Sequence, residues 1–160
     1  MSLFRFWRQK DRPDFRWLLS PAPDLGALLR RAAMQAQGMG RGYLVPADVV
    51  MAVLDDDGPI VTGLSIGTAA RDTLKRRIYS AAESMVAVPT TEPVGQLRFS
   101  SRTVRFLAVA RDRASELGSS ERQLHAGVLV AALESLPALS EALQAAGITT
   151  ARIQHAAGVS

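Results

Sequence analysis

The sequence predicts an all-α protein built from two tandem, pseudosymmetric four-helix repeats. Three observations lead to this expectation. Apolar residues recur at spacings of three and four along most of the chain, and capping residues, prolines or glycines delimit those segments. The order of segments in the first half returns in the second half about 80 residues later. The alternation of apolar and polar residues that is typical of strands is almost absent.

The first 21 residues are predicted to form an extension that precedes the repeats. Residues 1–20 hold five basic and two acidic side chains, whereas the remaining chain is nearly balanced, with 14 basic and 13 acidic ones. A segment that mixes cations with aromatics suits contact with anionic lipid, single-stranded nucleic acid or a protein groove; the alternative is that its aromatics pack across the repeats. The candidate partner-docking residues of the extension are its aromatic side chains Phe4, Phe6, Trp7, Phe15 and Trp17.

The first repeat is predicted to span residues 22–87. Its first helix, DLGALLRRAAMQAQGMG, carries apolar residues on one face and stops at Gly40. PADVVMAVL, residues 46–54, is the second helix of this repeat. DDDG, residues 55–58, is expected to be a solvated turn between helices, because it lacks the alternating ligands and terminal glutamate of a calcium loop.

The segment GLSIG, residues 63–67, fits the G-x-S-x-G pattern of a hydrolase nucleophile elbow, with Ser65 in the nucleophile's place. That elbow needs a strand that runs into a sharp turn and a helix that leaves it. No strand is predicted before Ser65, and the second repeat has Gly147 at the corresponding place. We therefore expect a turn between the third and fourth helices, and a small esterase that uses Ser65 is the remote alternative.

VPTTEPVGQ, residues 88–96, is the predicted linker, and the second repeat follows it over residues 97–158. The first helix of this repeat, FSSRTVRFLAVARDRASELG, has Ser100 as its N-cap and Gly118 as its stop. Phe99 can pack across the cap, against the valine five residues later, as a hydrophobic staple.

Three shorter helices complete the second repeat. LHAGVLVAALESL is predicted to be largely buried, and PALSEALQAAG begins with a proline and stops at Gly147. The last helix, TTARIQHAA, has Thr149 or Thr150 as its cap. Val53 of the first half corresponds to Leu133 of the second.

Composition argues against several kinds of site. Zero cysteines exclude cysteine-ligated zinc and thiol catalysis, and the two histidines, His125 and His155, are expected to be helix-start or surface residues, so no metal or cofactor is predicted. No apolar run approaches the roughly 20 residues that span a bilayer, and the first residues lack the apolar core of a secretory signal, so a cytoplasmic location is expected. Without a G-x-x-x-x-G-K-[ST] phosphate loop or a strand-borne nucleophile, we expect no enzymatic activity.

The repeat and its helix pattern together resemble a known family. Two four-helix repeats with a first helix of the form F-S/T-x-R-x-x-x-x-L-x-x-A-x-x-x-A-x-x-L-G look like the double-repeat N-terminal domain of the ClpA, ClpB and ClpC unfoldases. The resemblance covers roughly residues 22–158, and AAGI at 145–148 is similar to the family's turn. The second repeat carries the pattern in Phe99, Ser100, Arg102, Leu107, Ala110, Ala114, Leu117 and Gly118.

This resemblance implies a free-standing, non-catalytic protein or peptide recognition domain that acts as an adaptor, a competitor or a decoy. The implied partner is a Clp unfoldase, its adaptor or a cyclic peptide; the alternative is nucleic-acid or membrane-surface binding through residues 1–20. A peptide-binding surface is implied near the N-terminal ends of the two first helices. Phe99 is the candidate anchor there, unless it is only a staple, and Arg102 can pair with a partner's carboxylate.

One part of the family pattern is missing. In the ClpC branch a glycine-threonine-glutamate-histidine run opens the second helix of each repeat, and its glutamates are implied in recognising phosphoarginine. The corresponding residues here are VPAD, 45–48, and HAGV, 125–128, with Ala47 and Gly127 in the places of the glutamates. We therefore expect little preference for phosphoarginine peptides over arginine peptides.

Overall fold

The computed structural model describes residues 23–55, 59–84, 99–117 and 121–158, and it confirms the predicted all-α class over those ranges. The described residues form no strand, only one isolated parallel bridge between Leu44 and Phe99. The helices of these ranges are α1 Pro23–Gly38, α2 Pro46–Asp55, α3 Pro59–Leu64, α4 Thr68–Ser84, α5 Ser101–Leu117, α6 Glu121–Ser135, α7 Pro137–Ala145 and α8 Thr150–Ala156.

Several predicted segments fall outside the described residues. These are the extension 1–21 with its five aromatic residues, the linker 88–96, the stop at Gly118 and most of the acidic turn at 55–58.

Two helices end where the sequence predicts, each at a glycine in the left-handed region. Gly40 has φ 75° and Gly147 has φ 81°. After α7, the amide of Gly147 donates to the Gln144 carbonyl and the amide of Ile148 donates to the Leu143 carbonyl, both at 2.9 Å. This pair of bonds is the Schellman motif, which satisfies carbonyls that the helix itself leaves open.

The predicted helix starts are confirmed as well. The hydroxyl of Ser100 accepts a hydrogen bond from the Thr103 amide at 3.1 Å, which caps α5. Pro137 stands at the start of α7, where its missing N–H costs nothing. Of the two candidate caps for α8, Thr149 is the one used, since its side chain accepts from the Arg152 amide.

The core lies around α2 and α6, which contact each other at the centre of the molecule. Residues 46–54 of α2 and residues 125–132 of α6 are all buried. Helix α1 packs on α2, and α5 packs on α6. Gly127 makes the second crossing very close, because a Cβ added there would lie 2.5 Å from the Ala110 carbonyl oxygen.

The helices before and after residues 85–98 interlock. Helix α3 packs against α8, and α4 packs against α7, so each of these contacts joins the first half of the chain to the second. The buried apolar side chains accordingly form one continuous cluster that draws on both halves.

No single described helix is long and apolar enough to cross a membrane; α6 from Gln123 and α7 reach that length and composition only as a pair, and this pair bends by 114°.

Candidate functional site

The candidate site is an open groove of about 390 Å³ at the N-terminal half of α5, facing the junction of α6 and α7. Its shape follows from Pro137, which starts a new helix directly after Leu136 and turns the chain sharply. Three elements therefore meet around one concave surface. The lining residues are Arg102, Arg105, Phe106, Val109, Ser135, Leu136, Pro137 and Ala138.

A buried polar cluster fixes the start of α5 and thereby the position of the groove. The carbonyl oxygen of Leu44 accepts hydrogen bonds from the Ser100 amide at 3.2 Å and from the Thr103 hydroxyl at 2.5 Å. Ser100 and Thr103 are both fully buried, and their hydroxyls lie 2.7 Å apart. Buried polar groups that are satisfied in this way resist displacement, so the first turn of α5 is a rigid support for the side chains that point outward from it.

Five of the eight residues that line the groove are apolar. Phe106 and Leu136 are buried and form its floor, and Val109 is half-buried beside them. Pro137 and Ala138 are exposed on the opposite side. This surface can take up an aliphatic or aromatic side chain of a ligand, because contact would remove apolar area from water on both partners.

Arg102 and Arg105 form the basic rim of the groove. Both side chains are exposed, and among the described residues neither makes an ion pair. Arg113, two turns further along α5, differs: it donates to Glu134 at 2.8 Å and to Glu116 at 2.7 Å. The hydrogen bond to Glu134, and then the charge of Glu116, raise the pKa of Arg113. Within the described ranges the rim arginines are thus exposed without an acidic partner, whereas Arg113 is held by its own helices.

The stability of α5 does not explain Arg102. The first turn of α5 contains no acidic residue, and Arg102 lies in that turn, near the positive end of the helix dipole. A cation there is disfavoured by about 0.3–1 kcal/mol. The charge of Arg102 is therefore not explained by the stability of its helix.

The structure places the two candidate binding residues differently: Arg102 is exposed and Phe99 is buried. Arg102 is exposed on the rim of the groove. Phe99 is only 1% exposed and belongs to the core, as does Val104, with which it was predicted to form a staple. Its side chain has no surface to offer a ligand in this structure, because the bridge to Leu44 holds the backbone of Phe99 inside the domain.

Sequence reasoning missed the rest of the groove. The partial signal was the spacing of Arg102 and Arg105, which places both on one side of α5. Residues 135–138 lie about 30 positions away along the chain, so only the tertiary fold shows that they face these arginines.

Ser65 does not sit on a nucleophile elbow. Helix α3 precedes it, where the elbow requires a strand, and the turn to α4 follows it, as predicted. Ser65 is exposed, with φ 52°, and its hydroxyl lies 3.5 Å from the Thr62 carbonyl oxygen of its own turn. His155 is exposed on α8, as expected. The prediction of a surface position for His125 is wrong, because this side chain of α6 lies in the core and is 1% exposed.

The two places that correspond to the family glutamates are both buried. Ala47 lies inside α2, and Gly127 faces the backbone of α5, with no room for a side chain. The neighbouring acid, Asp48, has a structural role instead: it accepts hydrogen bonds from the two terminal guanidinium nitrogens of Arg41 at 2.6 Å and from the Val45 amide at 2.8 Å. The bond to Asp48 raises the pKa of Arg41. No carboxylate is therefore presented to a ligand at these positions.

Over the described ranges, no cluster of three or more histidine, cysteine, aspartate or glutamate side chains could hold a metal ion. No protein-family model matches the chain, and no curated protein matches it in sequence.

Proposed function

We propose that the chain is a non-catalytic protein- and peptide-recognition domain of the Clp N-domain kind, and that its ligand binds in the α5–α6–α7 groove. The observation that carries this proposal is the groove itself, with an apolar floor, a rigidly held helix and an exposed Arg102 at its rim that has no ion-pair partner among the described residues. A surface with convergent polar groups beside an apolar concavity is the usual form of a binding site. As an adaptor, a competitor or a decoy, the domain would receive segments of a Clp unfoldase system.

The contacts between helices support a double repeat over residues 22–87 and 97–158. If α1 to α4 correspond in order to α5 to α8, the contact of α3 with α8 corresponds to that of α4 with α7. Likewise the contact of α1 with α6 corresponds to that of α2 with α5, and the pairs α2–α4 and α6–α8 both occur. A two-fold relation between the halves predicts this exchange of partners.

The positions of the helix starts support the same proposal. Helices α1 and α5 begin 78 residues apart and have 16 and 17 residues, and α4 and α8 begin 82 residues apart. In the connection before α4 and before α8, Ser65 and Gly147 both have positive φ, although only one is a glycine. A non-glycine residue rarely adopts this conformation without a reason in the surrounding structure.

The absence of the family glutamates limits the range of ligands that we propose. Because positions 47 and 127 are buried and carry no acid, a phosphoarginine side chain would find no carboxylate there to receive its guanidinium group. We expect arginine and phosphoarginine peptides to bind equally weakly in a calorimetric titration. A strong preference for the phosphorylated peptide would contradict this part of the proposal.

Photo-crosslinking tests the proposed recognition role. We place p-benzoylphenylalanine at Ala138, an exposed residue of the groove, and in a second protein at Arg30, an exposed residue of α1 outside it. After irradiation in native cytosol, we expect the groove position alone to capture a Clp unfoldase, one of its adaptors or an unfolded client, identified by mass spectrometry.

A blocking variant completes this experiment. Ala138→Trp fills the groove from its solvent side and should abolish the interaction while circular dichroism and thermal unfolding stay unchanged. Equal capture from the positions of Ala138 and Arg30, or capture that survives the blocking substitution, would argue against binding in this groove.

A further inference from the structure

We infer that the groove selects an acidic peptide segment, one in which an aliphatic or aromatic side chain stands next to two carboxylates. This inference rests on the proposed function, because it names the class of ligand for the same groove. Its basis is charge complementarity between the rim and the ligand, combined with the apolar floor.

The spacing of the rim arginines fits two carboxylates. Arg102 and Arg105 are three residues apart on one helix, so their Cβ atoms lie about 5–6 Å from each other. Each planar guanidinium can bind a carboxylate through two parallel hydrogen bonds. Two acidic side chains of one peptide, or one side chain and a terminal carboxylate, can therefore be held at once.

Charge alone is not enough for selective binding here. Both arginines are exposed, and a single exposed ion pair changes an equilibrium by a factor of about 5 at most. The floor of Phe106 and Leu136, with Val109 beside it, supplies the second component, since a ligand's apolar side chain is removed from water there. The ligand consequently needs both features within a few residues.

The dimensions favour a short segment. A volume of about 390 Å³ lies near the lower end of the roughly 300–1,000 Å³ that is usual for sites of small ligands. Further along α5, the exposed side chains include the acids Asp112 and Glu116, and α7 exposes Glu141. These charges interrupt the basic surface, whereas a polynucleotide would require a continuous track of cations and stacking aromatics.

Fluorescence anisotropy with three labelled peptides tests the inference on the full chain. The first peptide is Asp-Glu-Leu-Phe-Asp-Glu, the second has lysine in place of every acid, and the third has alanine in place of leucine and phenylalanine. We expect the first to bind at least 10-fold more tightly than either of the others, and its affinity to fall when the salt concentration is raised from 50 to 300 mM.

Charge reversal identifies the residues that are responsible. Arg102→Glu and Arg105→Glu should each weaken the acidic peptide about 10-fold and strengthen the lysine peptide. Arg102→Glu is also expected to keep α5 intact, because an acid in the first helical turn is favoured by the dipole. Arg30→Glu is the matched control: it changes the net charge equally, outside the groove, and should leave both affinities unchanged.

The outcomes separate this inference from the proposed function. If the acidic and lysine peptides bind equally and both crosslink to p-benzoylphenylalanine at Ala138, the groove recognises peptides without charge selection, and only the inference fails. If no peptide crosslinks there, the proposed function fails with it. The inference would also be overturned if Arg30→Glu and Arg102→Glu weakened the affinity for the acidic peptide equally. The same holds if a single-stranded oligonucleotide, but no unlabelled acidic peptide, displaced the labelled one.

Discussion

Asp48 shows how a single buried acid organises the entrance to α2. It is 1% exposed, and its carboxylate accepts hydrogen bonds from both the Arg41 guanidinium and the backbone amide of Val45. Asp48→Ala would leave that amide without an acceptor inside the protein and Arg41 without its counter-ion. We expect a loss of roughly 3 kcal/mol in the free energy of unfolding, measured by urea denaturation.

Asp72→Ala is the control for this substitution. Asp72 is exposed on α4, so the same change should alter stability by less than about 0.5 kcal/mol. If both substitutions lowered the free energy of unfolding equally, the buried hydrogen bonds of Asp48 would add nothing to stability.

Ser65 offers a prediction of the opposite sign. Its φ of 52° is unfavourable for a residue with a Cβ, so Ser65→Gly should raise the free energy of unfolding by up to about 1 kcal/mol. Ser80→Gly, in the exposed middle of α4, should lower it by about 0.5 kcal/mol, because glycine weakens a helix interior. Thermal unfolding of both variants checks the pair, and destabilisation in both would refute the strain at Ser65.

The exposure of Arg102 could be predicted from the sequence, whereas the burial of Phe99 could not. An arginine in the first turn of an amphipathic helix points outward by its position in the helical pattern. Whether a residue just before the helix is exposed depends on the tertiary fold, and here a backbone bridge ties Phe99 to Leu44, 55 residues earlier. Long-range contact of this kind leaves no local signal in the chain.

At the level of helix pairs, the α5–α6 crossing depends on the missing side chain of Gly127. A Cβ at this position would meet the Ala110 carbonyl oxygen at 2.5 Å and the Ala114 amide nitrogen at 2.7 Å, both of which belong to the α5 backbone. Gly127→Ala must push the two helices apart and should cost about 1–3 kcal/mol of stability. Differential scanning calorimetry provides the measurement.

Gly38→Ala provides the comparison. Gly38 ends α1 with open space around its Cα, so alanine there should stabilise the domain by up to about 1 kcal/mol through its better helix propensity. If Gly127→Ala lowers stability and Gly38→Ala raises it, the difference measures the steric clash at the crossing of α5 and α6. If Gly127→Ala is as mild as Gly38→Ala, the helices are not packed as closely as described.

Helix boundaries were the most predictable part of the fold. Pro137, Gly147 and Thr149 act on the one or two turns next to them, so their effects can be inferred from a few neighbouring residues. The angles and partners of the helices were beyond this reasoning. The burial of His125 illustrates the limit, because α6 packs against helices of the first half as well as its neighbours, and the local sequence does not show which side of α6 they cover.

For the molecule as a whole, the interlocked halves predict a single cooperative unfolding transition. Helix α3 buries itself against α8 and α4 against α7, so neither half can complete its core alone. Arg152 adds a polar link, since its guanidinium donates to the carbonyls of Leu64 in the first half and Gly147 in the second. We expect residues 1–96 and 97–160, made as separate chains, to be unfolded singly and to regain helical circular dichroism when mixed.

The mixing experiment has a clear alternative result. A sigmoidal urea transition in either fragment alone would mean that the two halves are independent domains. A matched variant, Arg152→Ala, should weaken the association of the two fragments without preventing it, because the apolar contacts between the helices remain.

The interlocking also sets an order of events during synthesis on the ribosome. Helix α2 is buried from residue 46 to residue 54 and receives part of its cover from α6, which is translated some 50 residues after α4 begins to emerge. At roughly 5–20 residues per second, the nascent first half stays incomplete for roughly 3–10 s. During that time its apolar helix is open to chaperones and to neighbouring nascent chains, so the yield of folded protein should depend on the speed of translation and on the supply of chaperones.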